Sequence, residues 1–177
     1  MTDYGLLAKQ IVSLAEVDAH WLPVLSNAAA LLWDALDDIN WSGFYLVDPA
    51  TMTGEGVGSE PGAAPSAHDP RAPELRLGPF QGKVACVRIP FGRGVCGTAA
   101  ATRTSQLVED VHQFPGHIAC DSASNSEVVV PIFKDDQVVG VLDIDSPNVA
   151  RFTQEDLAGL EQVVKALESC TNFLDFC

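Results

Sequence analysis

The sequence predicts an α/β (α+β) fold in which helices at both ends of the chain flank a β-sheet. Leu7, Ile11 and Leu14 recur at the spacing of one helix face, and the segment that follows repeats this pattern. From Trp41 the pattern changes to WSGFYLV, an aromatic and β-branched run typical of a strand. A last helical stripe follows TQED at residues 153–156, which has the sequence of an N-terminal helix cap.

The stretch between the terminal helices is predicted to form further strands joined by loops. Strand patterns recur in ELRLGPF, KVACVRIPF, SQLVED, EVVVPIF and QVVGVLDID, and the last two indicate a hairpin around residues 134–136. VCGTAAAT follows a run of glycines and predicts a short, closely packed helix. Residues 50–73 are poor in large apolar groups and predict a flexible surface loop. The chain, residues 1–177, is therefore expected to form a single domain with a C-terminal helix over about 153–174.

Composition and charge exclude several classes of partner. The 177 residues are 47% hydrophobic, which is enough to bury a core. Twenty-four acidic against ten basic side chains give a net charge of −14, which disfavours nucleic acid and anionic membrane surfaces as partners. The N-terminus lacks the basic region of a secretory signal, so we expect a cytoplasmic protein. Small cations, or molecules that carry an amine, suit this charge better.

Three carboxylates are predicted to meet on one face of the sheet. Alternation along QVVGVLDID places Asp143 and Asp145 on one face with Val139, and Val138 on the other. A hairpin closed at its two-aspartate turn sets Glu127 opposite residue 143 or 144. Acids that share a half-buried surface repel one another, and a metal ion or a ligand ammonium would relieve this repulsion. The alternative is a set of solvent-facing acids at a strand end.

A metal site is the weaker of the two interpretations of this cluster. His112 and His117 lie five residues apart in a loop that contains proline and glycine, and the sequence has no compact pair of Cys or His ligands. We therefore expect no bound metal and no cofactor.

The cysteines suggest redox chemistry, because the expected cytoplasmic location makes a permanent disulfide framework improbable. Cys86, Cys96 and Cys120 are ten and twenty-four residues apart, which matches no common zinc motif. Cys86 is predicted to lie inside a strand, where a lone cysteine is usually a small apolar residue. Cys96 is predicted in the first turn of the short helix, where the helix dipole favours a thiolate. Cys120 lies in an irregular loop beside His117, where backbone amides and the imidazole would stabilise a thiolate.

The chain contains, in this order, LGPFQGKVACVRIPFGRGVCGTAAAT, QLVEDVHQFPGHIACDSASNSEVVVP, and GVLDIDSP followed by RFTQED. These motifs, which cover about half of the chain, and the NWSGFYLV segment resemble the free methionine-(R)-sulfoxide reductases, stand-alone GAF-domain enzymes of the cytosol. The chain departs from that family in the longer 50–73 stretch and in its cysteine-bearing tail, and neither departure touches a motif residue.

The resemblance implies a GAF domain, with a central antiparallel sheet of about six strands, helices on one side and a loop-roofed ligand pocket on the other. It also implies an oxidoreductase of the oxidative-stress response that reduces free L-methionine-(R)-sulfoxide to methionine. In this chemistry a cysteine becomes a sulfenic acid, a second cysteine condenses with it to a disulfide, and thioredoxin reduces that disulfide.

The resemblance assigns roles to the cysteines and acids. Cys120 is the expected nucleophile, Cys86 the resolving cysteine, and Cys96 an alternate or relay resolving thiol. Glu127 or Asp143 is the expected proton donor to the sulfoxide oxygen.

Substrate recognition is expected to involve both charged ends of the amino acid. Asp145 joins the other two acids around the substrate ammonium, and Trp41 and Tyr45, four residues apart on one strand face, are expected to form an apolar wall for the S-methyl group. Plain sheet packing explains these two aromatic residues equally well. The substrate carboxylate is expected to meet the backbone amides of Gly116, His117, Ile118 and Ala119.

Two other functions fit a GAF domain with these residues. One is a module that binds a small ligand without turnover, although an acidic pocket disfavours cyclic nucleotides. The other is a redox sensor in which the same cysteines change a partner interaction. A homodimer is compatible with the sequence.

Overall fold

A six-stranded antiparallel sheet lies at the centre of the computed structural model, which describes residues 2–48, 73–116 and 122–173. Apart from Pro73, the predicted 50–73 loop lies outside the described residues. The strands are β1 (Trp41–Val47), β2 (Glu74–Gly82), β3 (Arg88–Pro90), β4 (Gln106–Val108), β5 (Ser126–Lys134) and β6 (Gln137–Ser146). Their order across the sheet is β3-β2-β1-β6-β5-β4, which confirms the predicted antiparallel sheet.

The described residues also form four α-helices and one 3-10 helix. These are α1 (Tyr4–Ala15), α2 (Trp21–Ala35), α3 (Gly94–Thr102), the 3-10 helix Val111–Gln113, and α4 (Gln154–Cys170). No helix in the described part of the chain is long and apolar enough to cross a membrane.

The predicted cap at the start of α4 is confirmed. The Thr153 hydroxyl accepts a hydrogen bond from the Asp156 N–H at 3.2 Å, and the Asp156 carboxylate accepts one from the Thr153 N–H at 2.8 Å. The predicted end of this helix near residue 174 is wrong, because the helix ends at Cys170. Thr171 has an extended backbone, with φ −102° and ψ 133°, and so stops the helical hydrogen bonding.

The sheet separates two buried clusters of side chains. Helices α1, α2 and α4 cover one face and bury a mostly aliphatic cluster, which also contains Phe44, Phe152 and Phe173, against β1, β5 and β6. Helix α3 covers part of the opposite face, where the buried side chains include aromatic residues and a cysteine. Members of this second cluster include Trp41, Tyr45, Val95, Cys96, Ala99, Val129, Val138 and Val141. The helical face thus supplies most of the apolar burial, and the α3 face carries the chemically reactive groups.

The hairpin of β5 and β6 has a register that differs from the predicted one. It closes through a two-residue turn at 135–136, where both aspartates have positive φ, 49° and 62°. Glu127 pairs with Asp145 and not with residue 143 or 144. A β-bulge causes the difference, because Val139 has no residue opposite it on β5.

The same bulge reverses the predicted faces of two valines. Val138 packs in the α3-side cluster together with Val141, whereas Val139 packs against the helical cluster. Strict alternation predicted the opposite arrangement. Beyond the bulge the alternation holds, so Asp143 lies on the α3 face and its neighbours Leu142 and Ile144 on the helical face.

The segment KVACVRIPF is a strand only in part. Strand β3 comprises Arg88–Pro90 and pairs with three residues of β2 at the edge of the sheet. Cys86 lies in the loop before β3, half-buried against the α3-side cluster, so its predicted place inside a strand is wrong. Hydrophobic, β-branched composition at an edge does not provide the pairing partners that a longer strand requires.

Helix α3 is confirmed, and it approaches the end of β3 very closely. A Cβ atom at Gly97 would lie 2.3 Å from the carbonyl oxygen of Pro90. The Gly92 N–H donates to the Gly97 carbonyl at 2.7 Å, which ties the helix to the preceding turn. A glycine at this position therefore fixes the distance between the sheet and the first turn of α3, which carries Cys96.

We predict that Gly97→Ala destabilises the protein by about 1–3 kcal/mol, because the new methyl group must push α3 away from Pro90. Urea unfolding followed by circular dichroism measures this change. Ala101→Ser, at an exposed position of the same helix, is the control and should change the stability by about 0.5 kcal/mol or less. Equal stability of Gly97→Ala and wild type would contradict the close approach.

Candidate active site

One thiol and two carboxyl groups form a buried cluster on the α3 face of the sheet. One potential ligand atom from each of Cys96, Glu127 and Asp143 lies within 4.8 Å of the other two, and all three residues are buried. The Cys96 thiol donates to Glu127 Oε1 across 3.8 Å. Glu127 and Asp143 are each only 6% exposed. The predicted meeting of Glu127 with the aspartates of β6 is therefore found in the structure.

Three different elements position this cluster. Cys96 lies in the first turn of α3, as predicted, Glu127 near the start of β5, and Asp143 in the second half of β6. The register pairs Glu127 with Asp145 and leaves Asp143 opposite Val129, so the three acids lie diagonally across two strands. Asp145 is more exposed than the other two. The strand alternation therefore groups these acids despite the shifted register.

Burial raises the pKa of each group in the cluster. Loss of hydration raises the pKa of Asp143 to about 7. Burial, followed by the charges of Asp143 and Asp145, raises the pKa of Glu127 well above its usual value. Burial, followed by the charges of Asp143 and Glu127, also raises the pKa of the Cys96 thiol. The cluster therefore holds protons at pH values where exposed carboxyl groups have lost them.

The predicted thiolate at Cys96 is wrong. Cys96 does lie in the first turn of α3, where the helix dipole attracts negative charge. Burial and two neighbouring acids act in the opposite direction and raise the pKa of the thiol. These effects exceed that of the dipole, which is worth about 0.3–1 kcal/mol in an ordinary setting. The thiol is therefore protonated and serves as a hydrogen-bond donor to Glu127.

A stack of aromatic rings lines the cluster on the β1 side. The Trp41 ring lies 5.7 Å from that of Tyr45 and 5.4 Å from that of Phe80, at interplanar angles of 22° and 12°. Gly43 pairs with Asp143, and a Cβ atom there would lie 2.7 Å from Trp41 Cη2 and 2.4 Å from Phe80 Cβ. The predicted shared face of Trp41 and Tyr45 is confirmed. Phe80 and Gly43 were not predicted as part of the site, although a glycine inside an aromatic strand indicates such a close approach.

Two buried polar atoms on this face have no hydrogen-bond partner within the described part of the chain. They are the indole Nε1 of Trp41 and Oδ1 of Asp143. Trp41 and Asp143 are 2% and 6% exposed. A buried donor or acceptor without a partner costs about 1–3 kcal/mol, so native proteins rarely retain one without a functional reason. These two atoms are available to a bound molecule.

Two hydrogen bonds attach the described residues on either side of 117–121 to elements next to the cluster. The Gly94 N–H, at the start of α3, donates to the Gly116 carbonyl at 3.3 Å. The Asn40 side-chain amide, directly before β1, donates to the Ser124 hydroxyl at 3.0 Å. The chain therefore enters this segment beside the helix that carries Cys96 and leaves it beside the first residue of β1.

Of the cysteines that the structure describes, Cys86 is disulfide-bonded, whereas Cys96 and Cys170 are free thiols. Cys170 is half-buried near the end of α4 and packs against the helical cluster, so it lies on the other side of the sheet from Cys96.

Four of the predicted site residues, His117, Ile118, Ala119 and Cys120, lie outside the described residues. Their roles stay predictions. Gly116 is described, and its φ of +72° places it in the left-handed region that favours glycine.

Comparison with known proteins identifies the family. The model of the GAF domain family matches residues 24–169. Free methionine-R-sulfoxide reductase of Escherichia coli (strain K12) is 46% identical over 173 residues, which cover 98% of this chain and 91% of that protein. The chain belongs to the free methionine-R-sulfoxide reductase family of GAF-domain proteins. The resemblance drawn from the motifs and the predicted GAF fold are both confirmed.

Solved structures of this family have the same fold. The reduced form of fRMsr of Staphylococcus aureus has a TM-score of 0.80 and is 50% identical, with 97% of each chain covered. Free methionine-R-sulfoxide reductase from Neisseria meningitidis, in complex with its substrate, has a TM-score of 0.77 and is 41% identical. That match covers 94% of this chain and 87% of the Neisseria chain.

The raised pKa of Asp143 predicts a pH-dependent stability. The folded protein holds this proton up to a pKa of about 7, whereas the unfolded chain releases it near 3.8, so stability falls as the pH rises through this window. Asp143→Asn removes the titration. We expect the variant to gain stability relative to wild type between about pH 4 and pH 8, on the order of a few kcal/mol.

Urea unfolding at a series of pH values measures this difference. Asp135→Asn is the matched control, because Asp135 is exposed and lies in the hairpin turn. Its stability should run parallel to that of wild type. Parallel curves for Asp143→Asn and wild type would refute the buried, proton-holding state of Asp143.

Proposed function

We propose that this protein is a thiol-dependent oxidoreductase that reduces free L-methionine-(R)-sulfoxide to L-methionine, an L-methionine (R)-S-oxide reductase. The observation that carries the proposal is the buried cluster of Cys96, Glu127 and Asp143, whose residues all belong to the motifs that resemble the reductases. The 46% identity to the Escherichia coli enzyme over 98% of the chain supports it. A sulfoxide needs a proton at its oxygen and a nucleophile at its sulfur, and this face offers the proton.

The proposed chemistry begins at Cys120. Its thiolate attacks the sulfoxide sulfur while a carboxyl group protonates the sulfoxide oxygen, and the oxygen is transferred to Cys120. Methionine leaves with its sulfur reduced by two electrons, and Cys120 becomes a sulfenic acid. The thiol of Cys86 then attacks the sulfenic sulfur, a disulfide forms and water departs. Two thiols of thioredoxin reduce the disulfide and restore both cysteines.

Cys86 suits the resolving role, because it is half-buried in a loop and is already engaged in a disulfide. We propose Cys120 as its partner. Cys96 remains the alternate or relay thiol of the proposal, and burial raises the pKa of its thiol, which lowers the thiolate fraction near neutral pH. A disulfide that must be reduced in every cycle needs a reducing compartment, so we place the reaction in the cytoplasm.

The acids divide two tasks between them in the proposed mechanism. Glu127 or Asp143 donates the proton, because burial keeps the pKa of each above that of an exposed acid. Asp145, which is more exposed and lies on the same face, joins them in holding the substrate ammonium. The cation in turn relieves the repulsion between the acids. Binding of the substrate and the protonation state of the cluster are thus coupled.

The other proposed contacts hold the two ends of the substrate. The stacked rings of Trp41 and Tyr45 form the apolar wall for the S-methyl group. The substrate carboxylate meets backbone amides of the segment Gly116, His117, Ile118 and Ala119. A methionine sulfoxide within a peptide has neither free charge and would leave buried acids without a partner, so the site selects the free amino acid.

A small-ligand module or a redox sensor is less well supported. The acidic face, which includes the more exposed Asp145, disfavours the phosphate of a cyclic nucleotide. A redox sensor that does not turn over a substrate would not need proton-donating acids beside a thiol. A homodimer is part of the proposal, because α1 and α2 expose Leu6, Leu14 and Trp33 by 52%, 41% and 39%.

An assay with thioredoxin, its reductase and NADPH tests the activity. We expect NADPH oxidation with the R epimer of free methionine sulfoxide and none with the S epimer. An N-acetylated, C-amidated R epimer should also be inactive, because it lacks both charges that the site recognises. Binding of the free R epimer without turnover would instead favour a sensor, and turnover of the blocked compound would contradict the proposed recognition of charge.

Cysteine variants separate the two proposed sulfur roles. Cys120→Ser should abolish methionine release even in a single turnover, because the nucleophile is lost. Cys86→Ser should release about one methionine per protein and then stall as a sulfenic acid, which dimedone labelling and mass spectrometry detect. Cys170→Ser, on the other side of the sheet, is the control and should keep steady-state activity. Activity in Cys120→Ser would overturn the choice of nucleophile.

A further inference from the structure

The buried cluster has the ligand types and spacing of a metal site. Cys96, Glu127 and Asp143 each offer one atom, and the three atoms lie within 4.8 Å of one another, with the Cys96 sulfur 3.8 Å from Glu127 Oε1. In a tetrahedral zinc site, Zn–S bonds of about 2.3 Å and Zn–O bonds of about 2.0–2.2 Å place sulfur and oxygen ligands about 3.5 Å apart. The three side chains therefore need to move together by roughly 1 Å to share one ion.

A second observation also points to a ligand. Asp143 is 6% exposed, and its Oδ1 has no hydrogen-bond partner among the residues described. Its side chain interacts with both Cys96 and Glu127, so the unpartnered oxygen belongs to a carboxylate that already lies inside the cluster. A buried acceptor in this position is available for a bond to a cation.

We propose that Cys96, Glu127 and Asp143 bind a thiophilic divalent cation, Zn²⁺, in competition with the ammonium of the substrate. Binding forms one Zn–S bond and two Zn–O bonds and releases to solvent the thiol proton and the protons that the two carboxyl groups hold, without a change of oxidation state. The competition rests on the proposed function, whereas the ligand set does not. The bound ion holds the reductase in an inactive state.

The ligands also predict selectivity among cations. A cysteine sulfur favours Zn²⁺ or Co²⁺ over Mg²⁺, which prefers oxygen ligands and retains several waters. Two carboxylates and one thiolate outweigh the charge of a divalent ion, and Asp145 adds negative charge on the same face. The net charge of −14 favours cations at the surface as well, but without preference between metals. Selectivity for a thiophilic ion therefore distinguishes this site from general attraction.

Titration of the full-length protein with Co²⁺ alone tests the site through the near-ultraviolet charge-transfer band of a cobalt–thiolate bond. The disulfide form is used first, because Cys96 is a free thiol while Cys86 is bonded. We expect the band to appear, to disappear on addition of Zn²⁺, and to persist in excess Mg²⁺. Cys96→Ser should abolish it, and Cys170→Ser, which removes the other described free thiol, should retain it.

Glu127→Gln is a second variant, needed if Cys96→Ser disturbs folding. Glutamine keeps the shape of the glutamate side chain and removes its charge. It should weaken Co²⁺ binding by at least about 100-fold, since loss of an outer-shell partner alone costs about 10- to 100-fold. The proposal is overturned if wild type gives no band in either redox state, if the band survives in Cys96→Ser, or if Glu127→Gln binds Co²⁺ as wild type does.

The cobalt band tests the metal site and the reductase assay tests the activity, so either proposal can be refuted without the other. A protein that turns over the free R epimer and gives no cobalt band refutes the metal site alone. A protein that gives the band and shows no turnover refutes the proposed activity alone. Where both are present, Zn²⁺ should raise the apparent KM for the sulfoxide without changing kcat, and a chelator should restore the original KM. Inhibition that changes only kcat would refute competition at this site.

Discussion

The burial of two carboxyl groups beside a thiol is the constraint on which the rest of the structure depends. Acids away from water are unfavourable in their charged forms, and Glu127 and Asp143 keep their protons more tightly as a result. The fold tolerates this because the opposite face of the sheet buries a large, mostly aliphatic cluster under three helices. Stability and chemistry thus reside on different faces of the same strands.

Alternate residues of β6 contribute to the two faces of the sheet. Leu142 and Ile144 are fully buried under the helices, and Asp143 between them faces α3. A shift of the strand by one residue would place a carboxylate in the aliphatic cluster and a leucine beside Cys96. Packing of the helical face therefore holds the acid in place. Glycines at the close approaches, Gly43 to Trp41 and Gly97 to Pro90, bring the remaining parts of the site into contact with it.

Much of this arrangement could be predicted from the sequence, and the misses have physical causes. Alternation of side chains along β6 is a local property, so the shared face of Asp143 and Asp145 was predictable. The bulge at Val139 depends on pairing with β5, and the sequence marks it only by Gly140 inside the strand. The length of β3 depends likewise on its partner strand. Local properties of the chain were therefore accessible, and properties set by pairing were not.

The protonation of Cys96 was missed for a similar reason. The helix start was visible in the sequence, and with it the dipole that favours a thiolate. The surroundings that outweigh the dipole come from β5 and β6, far along the chain. The roles of Trp41 and Tyr45 were undecided between an apolar wall for the substrate and plain sheet packing, and the stacked rings fit both. The position of a helix start is a local property of the sequence, whereas the groups that surround a side chain depend on the tertiary fold.

The hydrogen bond from Gly94 to Gly116 has a mechanical consequence. It joins the first residue of α3 to Gly116, the last described residue before 117–121. A displacement of Gly116 would therefore pull on the N-terminal end of the helix. Cys96 lies two residues after Gly94, in the same first turn of α3. The backbone alone therefore connects the position of Gly116 to that of the helix turn that carries the buried thiol.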